Sequence, residues 1–172
     1  LCDSDMRARI SQQGDDPDRV LDRYIGALNA AGAGRPADMV VTTHMCRGNF
    51  RSEYVAKGGY EAIAERLLSQ ATVDGFFMEY DNERSGDFAP LRFLPKGKMA
   101  VLGIVTSKRP ELESKDALKR RIDEAAKYAP LDQLCLSPQC GFASTEEGNT
   151  LAEEEQWAKL RMIVELAEEV WG

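Results

Sequence analysis

The chain has 172 residues and a formal net charge of −7. An acidic surface without clustered Lys and Arg excludes nucleic acid and anionic membrane as partners, and no apolar run approaches the ~20 residues of a membrane span. The 43% hydrophobic and 30% charged content is that of a globular chain long enough to bury a core. No secretory signal is visible. Four cysteines, Cys2, Cys46, Cys135 and Cys140, are too few for a disulfide scaffold of this size. They imply a reducing, cytoplasmic setting. The first residue is Leu1 rather than Met, which leads to the expectation of a piece of a longer protein.

The elements follow in chain order. A helix is expected from Pro17 to Ala31, with Asp16 as cap, Pro17 in the first turn and Val20, Leu21, Tyr24, Ile25 and Leu28 as its apolar stripe. A short apolar strand follows at Met39 to Thr43. A second helix centres on Tyr60, Ile63, Ala64, Leu67 and Leu68, and a second strand runs from Val73 to Glu79. The third strand is Met99 to Val105. The third helix follows Ser114, with Leu118, Ile122, Ala125 and Ala126 on one face. The fourth strand is Leu131 to Leu136. The last helix follows Thr150, whose spacing to Glu153 suits a capping box, and is expected to bury Trp157, Leu160, Val164 and Ala167. Each strand is an apolar run, as for parallel strands covered on both faces.

The order is read as α-β-α-β-α-β-α-β-α, which implies a parallel sheet with helical crossovers. An open doubly wound sheet and part of a (β/α)8 barrel both satisfy it. No Gly-rich phosphate loop follows a strand, which weakens the nucleotide-binding form of the open sheet. In a barrel, chemistry sits at the C-terminal strand ends. His44, Cys46, Glu79 and Cys140 all fall at such ends.

His44 is the single histidine of the chain and stands two residues before Cys46. On an extended strand, residues i and i+2 point the same way, so an imidazole and a thiol leave together. Zinc favours this mixture, and Cys140 offers a second sulfur. Such a pair is more often a satisfied polar residue beside a buried thiol. Glu79 is the best fourth ligand. A buried ion pair with Arg84 or Arg92 accounts for it as well, and Asp81 and Glu83 compete with it. Cys135, inside its strand, reads as a small buried hydrophobe.

Several strings carry a family resemblance: Thr43-His44-Met45-Cys46 with Asn49-Phe50; Glu79 with Glu83-Arg84-Ser85; Val105 through Ser114; and Ser137-Pro138-Gln139-Cys140-Gly141-Phe142. The chain resembles the C-terminal catalytic half of cobalamin-independent methionine synthase, and more closely its shorter single-domain relatives. The resemblance implies a (β/α)8 barrel and a zinc ion held by His44, Cys46, Glu79 and Cys140. It implies methyl transfer from a small-molecule donor to a thiol, homocysteine by default, in methionine biosynthesis. Glu79 would be the ligand that yields to the substrate sulfur. On that template, residues 1–172 are expected to form one domain, about four βα units and the C-terminal half of the barrel. The expected partner is a missing N-terminal half-barrel or a second copy of the chain. The alternatives are a non-catalytic zinc-binding half-barrel and an alkyltransferase acting on a different thiol.

Overall fold

A computed structural model describes residues 1–172. Nine helices and strands follow one another along the chain: α1 (Ser4–Gln12), α2 (Pro17–Ala31), β1 (Thr42–Met45), α3 (Glu61–Gln70), β2 (Gly75–Glu79), β3 (Met99–Val105), α4 (Lys115–Ala125), β4 (Leu134–Pro138) and α5 (Glu153–Trp171), besides short 3-10 turns. The four strands form one parallel sheet in the order β1-β2-β3-β4. No helix is long and apolar enough to cross a membrane.

Sequential parallel strands joined by crossovers of one hand put every helix on the same side of the sheet. The two sheet faces therefore differ. The covered face carries Phe76, Met78, Ala100, Leu102 and Leu134, all at most 1% exposed. They pack in one cluster with Ile63, Leu67 and Leu68 of α3, Leu118 and Ile122 of α4, and Met162, Ile163 and Leu166 of α5. Each such side chain contributes on the order of 1.5–3 kcal/mol by leaving water. The opposite face carries the register row His44, Phe77, Val101 and Cys135. None of the four belongs to the buried core cluster, although Val101 is only 7% exposed. His44 is exposed, and Phe77 and Cys135 are half-buried.

Several expectations need correction. Strands covered on both faces were expected, whereas one face is bare and mixes polar with apolar groups. Cys135 sits on that face and is no sealed core thiol. The first strand begins three residues later than Met39, because Met39 and Val40 are 51% and 75% exposed and pair with nothing in the sheet. The fourth is Leu134–Pro138, since Leu131–Gln133 forms a 3-10 turn. The crossover between β2 and β3 contains no α-helix. Gly86, Pro90 and Pro95 interrupt it, leaving the 3-10 turns Glu83–Ser85 and Ala89–Phe93. Thr150 does not cap α5. The N-cap is Ala152, whose N–H donates to Glu155 Oε2 at 2.7 Å. Starting two residues later than a Thr150 cap would set it, α5 exposes Trp157 and Val164 and buries Lys159, Met162, Ile163 and Leu166. Lys159, 0% exposed, is tolerated there because its Nζ donates to Glu113 Oε2 at 2.9 Å and Glu111 O at 2.7 Å. Helix α1 was not anticipated. It buries no residue and is set by its cap, Asp3, whose Oδ1 accepts from Asp5 N and Met6 N.

Ser114 occupies the α4 N-cap position without a side-chain hydrogen bond. Gly103 lies where β3 slips one residue against β4, between Gly103 and Val105. A Cβ there would meet Gln139 Cα at 2.8 Å and Met78 O at 2.9 Å. The close approach of β4's exit to β3 requires glycine.

Candidate metal centre

The C-terminal ends of β1, β2 and β4 converge. His44 lies in β1 and Cys46 immediately after it, on the same side of the extended chain. Cys140 lies two residues beyond Pro138, the last residue of β4. Cys46 Sγ and Cys140 Sγ are 3.3 Å apart, and Cys140 Sγ is 3.8 Å from His44 Nε2. The ligand atoms of all three residues lie within 4.8 Å of one another.

These separations, from 3.3 Å to at most 4.8 Å, bracket those around a tetrahedral ion. With Zn–S near 2.3 Å and Zn–N near 2.0–2.1 Å, ligand atoms stand roughly 3.5–3.8 Å apart. One imidazole and two thiols are also the donor chemistry zinc selects. All four cysteines are free thiols. Cys2 and Cys135 lie outside the group.

Glu79 closes β2 and is fully buried. Its Oε2 is 4.0 Å from Cys140 Sγ and accepts the Arg47 backbone N–H at 2.9 Å. Its Oε1 accepts from Gln139 Nε2 at 2.9 Å and pairs with Arg84, which also holds Asp81. The ion pair weighed for Glu79 is therefore present with Arg84, whereas Arg92 pairs with Glu61. The pairing uses one oxygen; the other, held by the Arg47 N–H, comes to 4.0 Å from Cys140 Sγ, and Glu79 stays outside the group of three.

The two thiols are not equivalent. Cys46 is held well below the ordinary thiol range, first by its hydrogen bond with Cys140, then by His44 and by the Gly48 N–H. Cys140 is pushed up by the same contact with Cys46, by burial and by the charges of Cys46 and Glu79.

Sequence reasoning missed the residues that hold this arrangement. Arg47, 4% exposed, donates from its guanidinium to Gly58 O, Tyr60 Oη and Glu79 O, and stacks on the Tyr60 ring at 4.2 Å. Tyr60 Oη in turn accepts the Glu79 N–H at 2.7 Å. Gln139, 2% exposed, accepts from Thr106 Oγ1 through the same amide that donates to Glu79. The available signal was adjacency: Arg47 and Gln139 each neighbour a cysteine of the site. A cleft of about 500 Å³ opens beside the group, lined by Thr42, His44 and Phe77 and by the Ser137–Gly141 segment.

A family model described as the catalytic domain of cobalamin-independent synthase matches residues 5–169. The chain belongs to that family. An uncharacterized Bacillus subtilis (strain 168) protein, YxjH, is 55% identical over 166 residues, which are 96% of this chain and 44% of that protein. A Bacillus licheniformis 5-methyltetrahydropteroyltriglutamate–homocysteine methyltransferase is 27% identical over 132 residues, 77% of this chain and 15% of that enzyme. Among solved structures, a Listeria monocytogenes protein with the working designation vitamin-B12 independent methionine synthase superposes with a TM-score of 0.72. The two are 44% identical, over 92% of this chain and 43% of that one. The chain thus spans less than half the length of these relatives. Its fold is that of about four βα units, the C-terminal half of a (β/α)8-type barrel.

Proposed function

We propose that the chain carries the zinc-binding half of a thiol methyltransferase site, with homocysteine as acceptor and methionine as product. The observation that carries this reading is the convergence of His44 Nε2, Cys46 Sγ and Cys140 Sγ within 4.8 Å at the strand ends of a cobalamin-independent synthase domain. Glu79 is the fourth ligand in this proposal, through Oε2.

When bound, zinc lowers the pKa of a thiol on it, so that a thiolate is available at neutral pH, where a free thiol near ~8.5 is mostly protonated. The protein supplies the rest. His44 donates a neutral nitrogen. Cys46 and Cys140, both deprotonated on the metal, and the Glu79 carboxylate give a donor set that exceeds the charge of a divalent cation. Such a set keeps an incoming sulfur electron-rich and able to attack a methyl group. Glu79 is suited to yield its place: Arg84 and Gln139 hold Oε1 and the Arg47 N–H donates to Oε2, so the carboxylate keeps its partners when it is off the metal.

Zinc measured by elemental analysis, alongside methyl transfer to homocysteine, tests the proposal. About one zinc per chain is expected. A metal-free protein that also fails to take up added zinc would end this reading.

A second reading has its own support. A pocket normally encloses 70–90% of a small ligand, but the cleft beside His44 is walled only by β1, β2, β4 and the loop after β4. The outer edges of β1 and β4 are unpaired, and unpaired edges recruit other strands. On this reading residues 1–172 bind zinc but turn over substrate only when further βα units cover the bare face. Those units belong to the same longer protein or to a second copy of the chain. The isolated chain would then associate and show no transfer; a monomeric, active 172-residue chain would refute it.

A further inference from the structure

The loop after Cys46 and the loop after Cys140 meet at one side chain. Asn49 is 7% exposed. Its Nδ2 donates to Gly141 O at 2.6 Å and Ser144 Oγ at 2.8 Å. Its Oδ1 accepts from Lys108 Nζ at 3.0 Å, and the same ammonium donates to Gly48 O at 2.9 Å. Lys108 belongs to the loop that leaves β3. One amide thus joins the loops following three strands.

The chemistry fixes which way this amide points. An ammonium has donors only, so the atom facing Lys108 is oxygen. A carbonyl only accepts, so the atom facing Gly141 is nitrogen. Asparagine satisfies both at once. Aspartate, of the same shape, would set a carboxylate oxygen against Gly141 O. Gly48 and Gly141 each lie within two residues of a site cysteine, so the bridge spans the distance over which the two sulfurs are set.

We infer that Asn49 and Lys108 are positioning residues that fix the Cys46–Cys140 separation and thereby tune metal affinity. The inference rests on the zinc reading above. The bridge itself touches no ligand atom. Its effect is to restrict two loops that would otherwise sample wider sulfur separations. Outer partners of metal ligands typically alter affinity 10–100-fold.

The test is zinc affinity by chelator competition in wild-type, Asn49→Asp, Asn49→Ala and Lys108→Gln proteins. It is paired with the cobalt(II) absorption spectrum and the thermal midpoint of the metal-free form. Asn49→Asp and Asn49→Ala are each expected to lose about tenfold in affinity and to broaden the cobalt spectrum, while the metal-free form, at a lowered midpoint, still unfolds cooperatively. Asn49→Asp is decisive because it preserves volume and strengthens the contact to Lys108. Lys108→Gln, half-buried and tolerant of change, is expected to lose less than either Asn49 variant and to keep the fold if an Asn49 variant does not. Wild-type affinity in both Asn49→Asp and Lys108→Gln would overturn the inference while leaving zinc binding intact. A wild-type protein that binds no zinc would overturn both readings together.

Discussion

The two faces of the sheet are made by the same strands and serve opposite ends. Phe76 and Phe77 are neighbours in β2. Phe76 is fully buried against the helices, while Phe77 lies half-buried on the bare face beside the cleft. Alternation along a strand sorts side chains into those that hold the fold and those that meet a ligand. The lesson is that stability and chemistry can be separated residue by residue within five positions.

Substitutions can break or sharpen that separation. The largest effect is expected from Cys140→Ala, which removes one donor of the group. Stoichiometric zinc should vanish, while the far-ultraviolet circular dichroism of the metal-free protein stays unchanged. A variant that keeps one zinc per chain would remove Cys140 from the donor set. Next comes Phe76→Ala on the covered face, with an expected loss of about 3–5 kcal/mol in urea unfolding. A cost under 1 kcal/mol would show that the helices do not pack there. Glu79→Gln should weaken zinc binding about tenfold without abolishing folding, since three donors and the Gln139 contact remain. Unchanged affinity by chelator competition would place Glu79 outside the metal's ligands and leave it as Arg84's partner. The smallest effect is expected from Phe77→Ala, about 1 kcal/mol or less. A loss matching that of Phe76→Ala would mean the bare face is covered in solution, and the contrast between the faces would disappear.

What the sequence revealed follows the same division. Strand β3 was legible to the residue because Met99 to Val105 is one apolar run with a turn before it and polar residues after it. Strand β1 was not. Its inner positions carry the polar residues Thr42 and His44, and the more apolar Met39-Val40-Val41 drew the boundary upstream. Helix α1 has no apolar stripe to read, since nothing on it is buried. On α5, Trp157 and Val164 looked like core, but Lys159 occupies the inward face through its pairing with Glu113, a contact made 46 residues away. The pairing of His44 with Cys46 was legible because His-x-Cys on a strand end fixes direction locally. Arg47, Asn49 and Gln139 were not, because each acts through partners that only the folded sheet brings near. Asn49 reaches Gly141 across 92 positions.

Gly103 sits beneath all of this. Its missing side chain lets Gln139 cross under the end of β3 to reach Glu79. An added methyl would act as a wedge between β3 and the segment that carries Cys140. It would change no charge and remove no donor, yet it would move one sulfur away from the others. Ion preference in a thiolate-rich site follows the spacing of the donors as much as their identity. Gly103→Ala should therefore shift the balance from zinc toward a larger soft ion such as cadmium, which direct competition between the two metals would reveal. An unchanged ratio would mean that the loop after β4 absorbs the wedge. On that expectation the spacing of the two sulfurs is set in part by a hydrogen atom on a residue that touches neither of them.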